Sequence, residues 1–101
     1  MLSANSEIFV APPRITAANR EQFRKAALGF IEQAAKNSTG VITVDLATTE
    51  ELDASGLGLL VQMQKRSEDL ETSMQLVRVP KHIRQLLNLT RLEHLFTIVD
   101  E

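Results

Sequence analysis

Apolar residues at Phe23, Ala27, Phe30, Ile31 and Ala34 recur at the spacing of one face of an amphipathic helix. The opposite face is charged, with Arg20, Arg24, Lys25, Glu32 and Lys36. Thr16 is positioned to cap this helix, and Asn37 to Gly40 should end it. Before it, Ile8-Phe9-Val10 reads as a short strand stopped by Pro12 and Pro13. After it, the β-branched run Val41-Ile42-Thr43-Val44-Asp45-Leu46 predicts a central, well-buried strand. Residues 47–53 should be a loop, followed by a second helix from about Ser55 to Leu70. Its inner face holds Leu57, Leu60, Val61 and Gln64, with Leu59 and Met63 alongside; Lys65, Arg66, Glu68 and Asp69 mark the solvated end. Ser73 to Val79 reads as another strand around Met74, Leu76 and Val77. Pro80 suits the first position of a third helix, with Ile83, Leu86 and Leu87 facing inward. Leu89, Leu92 and Leu95 extend the apolar pattern through a turn near Asn88 to Arg91, and Phe96 to Val99 forms a last strand. The order β-α-β-α-β-α-β predicts an α/β fold with a mainly parallel sheet and helices packed on it.

A chain of 101 residues fits one domain with a modest core, spanning 1–101. No cysteine is present, so disulfides and thiolate metal sites are excluded. Eleven basic against 13 acidic residues, a net charge of −2, give no electrostatic reason to expect nucleic acid or an anionic membrane. Without Trp or Tyr, and with four Phe, there is no stacking platform for bases. No apolar run approaches the roughly 20 residues that span a bilayer, and Met1 to Ala11 lacks the basic and apolar regions of a signal peptide. The expectation is a cytoplasmic domain without membrane insertion.

The candidate chemistry concentrates in Leu52-Asp53-Ala54-Ser55-Gly56-Leu57-Gly58-Leu59-Leu60. Glycine costs roughly 1 kcal/mol against alanine in a helix interior, so two glycines in a first turn need a reason. The reading adopted is close approach of another group to that helix N-terminus, where unpaired amides favour an acceptor or an anion. Asp53 or Ser55 also serves as an ordinary helix cap, which explains the acid and the hydroxyl but neither glycine. His82 and His94 stand apart with no paired ligand, so no metal site can be assembled; His82 reads as a surface residue and His94 as packed at the foot of the last strand. Ser55 lacks the nucleophile elbow, since Asp53 stands two positions before it. Neither phosphate-loop glycine pattern is present, so no catalytic residue and no cofactor is expected. Thr48 and Thr49, beside Glu50, read as loop residues that could also accept a phosphoryl group.

Asp53-Ala54-Ser55-Gly56-Leu57-Gly58-Leu59-Leu60 resembles the Asp-Ser-[Ser/Thr]-Gly-Leu-Gly signature of STAS domains, the anti-sigma factor antagonist family. Val41 to Leu46, Val79-Pro80 leading into Ile83 to Leu87, and Leu89 to Phe96 support the likeness, which covers roughly residues 14–99. The resemblance implies a single-domain sandwich with a mixed, mainly parallel sheet on one side and helices on the other. It also implies a non-enzymatic module that docks a protein partner, an anti-sigma factor with serine kinase activity or another signalling protein. On this reading the partner-binding residues are Glu50, Asp53, Ala54, Ser55, Gly56 and Gly58, in the 47–58 loop and helix start.

The chain departs from the family pattern at one position. The hydroxyl that normally accepts phosphate follows the Asp directly, and here that residue is Ala54. Ser55 matches the second hydroxyl, and a shift of one residue turns a helical side chain by about 100°, so loss of the usual switch is expected rather than phosphorylation of Ser55. The amino end also departs, with Pro12-Pro13 in place of a longer strand and one short strand before the first helix. A partner covering the exposed sheet edge is the matching expectation. The alternatives are an adaptor subunit of another bacterial assembly, such as a sensory or chemotaxis cluster or a lipid-transport ATPase, and, from other classes, a small hydrolase or a nucleotide-binding domain.

Overall fold

The computed structural model describes residues 6–37 and 40–99. Met1 to Asn5, part of the segment read for a leader, and Ser38 and Thr39 of the expected helix stop lie outside the described residues. The elements run β1 (Ser6–Val10), β2 (Arg14–Ile15), α1 (Arg20–Lys36), β3 (Val41–Asp45), β4 (Glu51–Leu52), α2 (Ala54–Asp69), β5 (Ser73–Val77), α3 (Lys81–Leu89), a 3-10 turn at Glu93–Leu95, and β6 (Thr97–Val99). Four strands form one sheet in the order β1-β3-β5-β6, and every pairing among them is parallel. Because successive strands are direct neighbours, right-handed crossovers place α1, α2 and α3 on one face. This is the expected α/β arrangement with a mainly parallel sheet.

Register explains which side chains form the core. Val44 stands opposite Phe9 and Leu76, and Leu76 opposite Ile98, so these four share the helix-facing side. Ile42 and Met74 pair one step earlier on the same side. Against them pack Phe23, Ala27, Ile31 and Ala34 of α1, Leu57, Leu59, Leu60 and Met63 of α2, and Ile83 and Leu87 of α3, all buried. Phe9 closes one end, its ring 5.6 Å from that of Phe23 and 5.2 Å from that of Phe30. On the other face of β1, Ile8 and Val10 are both 62% exposed, so the helices cover one side only of that strand.

Several boundaries differ from the sequence expectation, each for a local reason. Thr16 does not cap α1. Instead the Asn19 side chain accepts the Thr16 amide at 2.9 Å and donates to the Arg14 carbonyl at 2.6 Å, closing a turn that delays the helix to Arg20. A second strand, β2, precedes α1, and the loop at 47–53 contains β4, its parallel partner. Two-residue strands carry no readable alternation. Pro80 is the N-cap of α3 rather than its first helical residue, with the extended backbone of φ −60° and ψ 150°. Leu89 and Leu95 do not continue the core: they are 81% and 39% exposed. Leu89, the last residue of α3, lies on the side opposite the buried Ile83 and Leu87, and beyond it Arg91 takes a left-handed φ of 60°, which breaks the helical spacing before Leu95.

Candidate functional site

In a parallel sheet the connections after the strands gather at the carboxyl edge. Here that edge collects residues 11–19 after β1, 46–53 after β3, and Arg78 to Pro80 after β5. Backbone bonds fasten the three together. Ala11 donates to the Asp45 carbonyl at 2.9 Å and Leu46 to the Val77 carbonyl at 3.1 Å. Prolines donate nothing, and the Pro12-Pro13 pair is used for its carbonyls. Pro13 accepts the amides of Glu50 and Glu51 at 2.7 and 3.1 Å, and Pro12 accepts the Thr49 hydroxyl at 2.9 Å. Thr49 is therefore buried and engaged, which removes it as an acceptor of phosphate; Thr48 remains exposed.

Two acids hold this edge. Asp45 is buried at the end of β3 and ion-paired with Arg78, while its Oδ1 accepts the Ala47 amide at 2.9 Å. The Arg78 side chain folds back over it because its backbone has turned left-handed, at φ 52°. The Arg78 guanidinium, aided by the Ala47 amide, holds the Asp45 carboxyl below the usual carboxylate range. Asp53 is the N-cap of α2. Its Oδ1 accepts the Gly56 amide at 2.9 Å, and its Oδ2 accepts the Ala17 amide at 3.0 Å from the segment before α1. Those two amides, Gly56 first, lower the Asp53 carboxyl as well.

The glycines separate into two roles. Gly56 is buried, and a Cβ there would stand 2.0 Å from the Ile15 carbonyl oxygen and 2.7 Å from Leu52 Cδ1. The close approach expected at the helix start is thus real, but the approaching group is the chain's own β2 backbone. Gly56 is a packing residue and does not line the surface. Gly58 is exposed, with nothing within 4 Å of a Cβ. It falls one turn after the exposed Ala54, on the same side of α2. Ser55 is half-buried and Glu50 exposed. The amides expected to await an anion are partly spent, since Asp53 takes that of Gly56 with its carboxylate and that of Leu57 with its carbonyl at 2.9 Å.

His82, in the first turn of α3, is exposed and donates from Nε2 to the Glu50 carbonyl at 2.8 Å, bringing α3 against the 46–53 loop. His94 is exposed on the 3-10 turn and not packed under β6. Among the described residues, no group of three His, Asp or Glu is placed to hold a metal ion, and no helix is long and apolar enough to cross a membrane.

A family model described as "Mlab, STAS domain" matches residues 13–100. The chain belongs to the STAS domain family. Among solved structures, an anti-sigma factor antagonist assigned in Thermotoga maritima is similar at a TM-score of 0.77 and 19% identity, over 100% of this chain and 83% of that one. The unphosphorylated form of the anti-sigma factor antagonist SpoIIAA matches at a TM-score of 0.74 and 17% identity, over 100% and 84% of the two chains. A sulfate transporter family protein from Wolinella succinogenes matches at 0.68 and 21%, over 97% and 80%. No match was found among the curated proteins. At these identities the likeness establishes a shared fold, and this STAS domain is built like the anti-sigma factor antagonists.

Two measurements test the roles of the glycines and of Asp53. In urea titrations, Gly56→Ala should lose stability by about 1–3 kcal/mol, the usual cost of overpacking. Gly58→Ala should gain up to about 1 kcal/mol from helix propensity. Equal effects at both positions would refute the division. The second concerns acid. A carboxyl lowered on folding contributes stability that is present above its unfolded value, about 3.9, and lost as pH falls through the folded value. Wild type should therefore weaken steeply below about pH 4, and Asp53→Asn, which keeps a capping oxygen, should show a shallower decline. An unchanged pH slope in the variant would count against the double acceptor role of Asp53.

Proposed function

We propose that this STAS domain is a non-catalytic docking module that engages a protein partner through the exposed surface of residues 47–58. The observation that carries the reading is the bare patch made by Ala54 and Gly58, one turn apart on the outer side of α2's first turns. With nothing larger than the Ala54 methyl on it, this patch admits close approach of another protein's backbone. Glu50, exposed in the loop that leads to α2, and the half-buried Asp53 and Ser55 at its start add acidic and hydrogen-bonding groups. Gly56 contributes from beneath, by letting the helix start settle on Ile15. The family resemblance supports an anti-sigma factor with serine kinase activity as the partner, and the SpoIIAA neighbours, solved unphosphorylated and phosphorylated, support a partner of that class.

In that class the switch would be phosphate on the residue after the capping acid, which adds charge to the docking face and repels the partner. Ala54 occupies that position and is exposed, where a hydroxyl would be within a kinase's reach. Ser55 is turned about 100° away and is less accessible. The proposed consequence is a contact that phosphorylation does not release. The sulfate transporter family neighbour supports a second reading, in which the same face seats the domain on another bacterial assembly; the family resemblance allows a lipid-transport ATPase or a sensory cluster as that assembly.

Tagged wild-type protein recovered from its native cells should carry a stoichiometric partner that Gly58→Arg loses, while the thermal melt of the variant stays within a few degrees of wild type. Retention of the partner by the variant would sink the docking surface, and the partner's identity decides between the two readings. Incubation with a serine kinase encoded alongside, followed by mass mapping, should find no phosphate on the peptide containing Ala54 and Ser55. Modified Ser55 would show that the switch has moved by one residue.

A further inference from the structure

The segment that holds α3 carries an uneven charge pattern. Residues 78–91 contain Arg78, Lys81, Arg84 and Arg91, four of the 11 basic residues, together with His82 and none of the 13 acidic ones. Within α3, Lys81 and His82 stand in the first turn, where a helix prefers anions, and the last turn has no basic residue. This arrangement runs against the helix dipole, whose positive end is at Lys81. Lys81 makes no ion pair among the described residues, while Arg84 is bridged to Glu93 at 3.0 Å. The side of α3 opposite its buried Ile83 and Leu87 lines a shallow open groove of about 530 Å³, formed by Val79, Lys81, Arg84, Gln85, Asn88 and Leu89. Leu89 in that groove is 81% exposed.

We propose that this groove is a second protein-docking surface, whose occupant is an acidic amphipathic helix of a partner. Its carboxylates would meet Lys81, and its apolar side chains would cover Leu89 and Val79. Charge complementarity selects an acidic partner: the lining holds no anion, and of its two cations Lys81 makes no ion pair among the described residues while Arg84 shares Glu93, on a protein whose net charge is −2. The polar centre, Gln85 and Asn88, separates a peptide from a bilayer as the occupant. A helix that lies on membrane needs a broad continuous apolar face, and this one offers Val79 and Leu89 alone. Lining residues at 81, 84, 85, 88 and 89 follow the spacing of one helix face, so a helix can pack along it ridge into groove. The surface is independent of the 47–58 patch, and its test does not use that patch.

The probe is a synthetic peptide of about 14 residues, roughly 20 Å of helix, with leucines at helical spacing, glutamates elsewhere and no lysine or arginine. Backbone amide shifts of the intact protein should move at residues 79–89 on titration, and binding should weaken with added salt. Lys81→Glu and Leu89→Asp should each weaken it about tenfold, the loss typical of a residue central to an interface; Lys25→Glu, the same charge change on the outer side of α1, should not. Both altered side chains are exposed, and unchanged amide shifts elsewhere in each variant confirm folding. The proposal is overturned if the acidic peptide leaves α3 unmoved, or if a lysine-substituted version binds as well. It is overturned equally if phosphatidylglycerol vesicles perturb residues 79–89 while the peptide does not.

Discussion

The carboxylate of Asp53 is the joint on which this end of the molecule depends. A parallel sheet delivers its connections to one edge, where each carries backbone groups that no strand can satisfy. Asp53 answers two of them, taking the Ala17 amide from 36 residues earlier with one oxygen and the Gly56 amide with the other. The start of α2 and the approach to α1 are thereby fixed relative to each other before any packing is counted. The β2–β4 pairing and the contact of Gly56 with the Ile15 carbonyl follow from that fixed distance. A Cβ at residue 56 is intolerable because the joint holds the two backbones so close.

This self-sufficiency changes what the helix start can offer a partner. An N-terminus whose amides were open would be an anion site, but the cap here is internal and charged. A phosphate arriving at α2 would meet a carboxylate already seated on the amides it needs. What is left outside is the exposed side of Ala54 and Gly58, where the largest side chain is a methyl group. The same acid that a sequence reader takes for part of a phosphate switch is, in the fold, a fastener between two connections.

The elements with sustained periodicity were legible from the residues alone. Helix α1 showed its buried face as Phe23, Ala27, Ile31 and Ala34, and α2 began within one residue of the expected Ser55. Strand β3 was visible as a β-branched run because Ile42 to Asp45 are all buried in the middle of the sheet. The misses share a physical origin in contacts between residues distant in sequence. Neither β2 nor β4 has meaning except as the partner of the other. Ile15, whose carbonyl accounts for Gly56, lies 41 positions before it and gives no local sign. Pro12 and Pro13 looked like strand breakers, yet they serve as acceptors for a loop that begins more than 30 residues later. The exposed Leu89 was read as core because it continued the run of leucines, yet six residues after Ile83 it falls on the opposite face of α3.

Charge gives the carboxyl edge a polarity that neither composition nor spacing displays. The 46–53 connection carries Glu50, Glu51 and Asp53 with no basic residue, while α3 beside it opens with Lys81 and His82. The His82 ring, bonded to the Glu50 carbonyl, is the point where the two meet. A net charge of −2 therefore hides two adjoining fields of opposite sign. Exposed charges more than about 10 Å apart are largely screened at moderate salt, so a partner touching both would read them as separate contacts. An orientation in which its basic side faced α3 would be penalised twice, once by each field. Two small, opposed patches would in this way give a partner on the proposed surfaces a preferred direction.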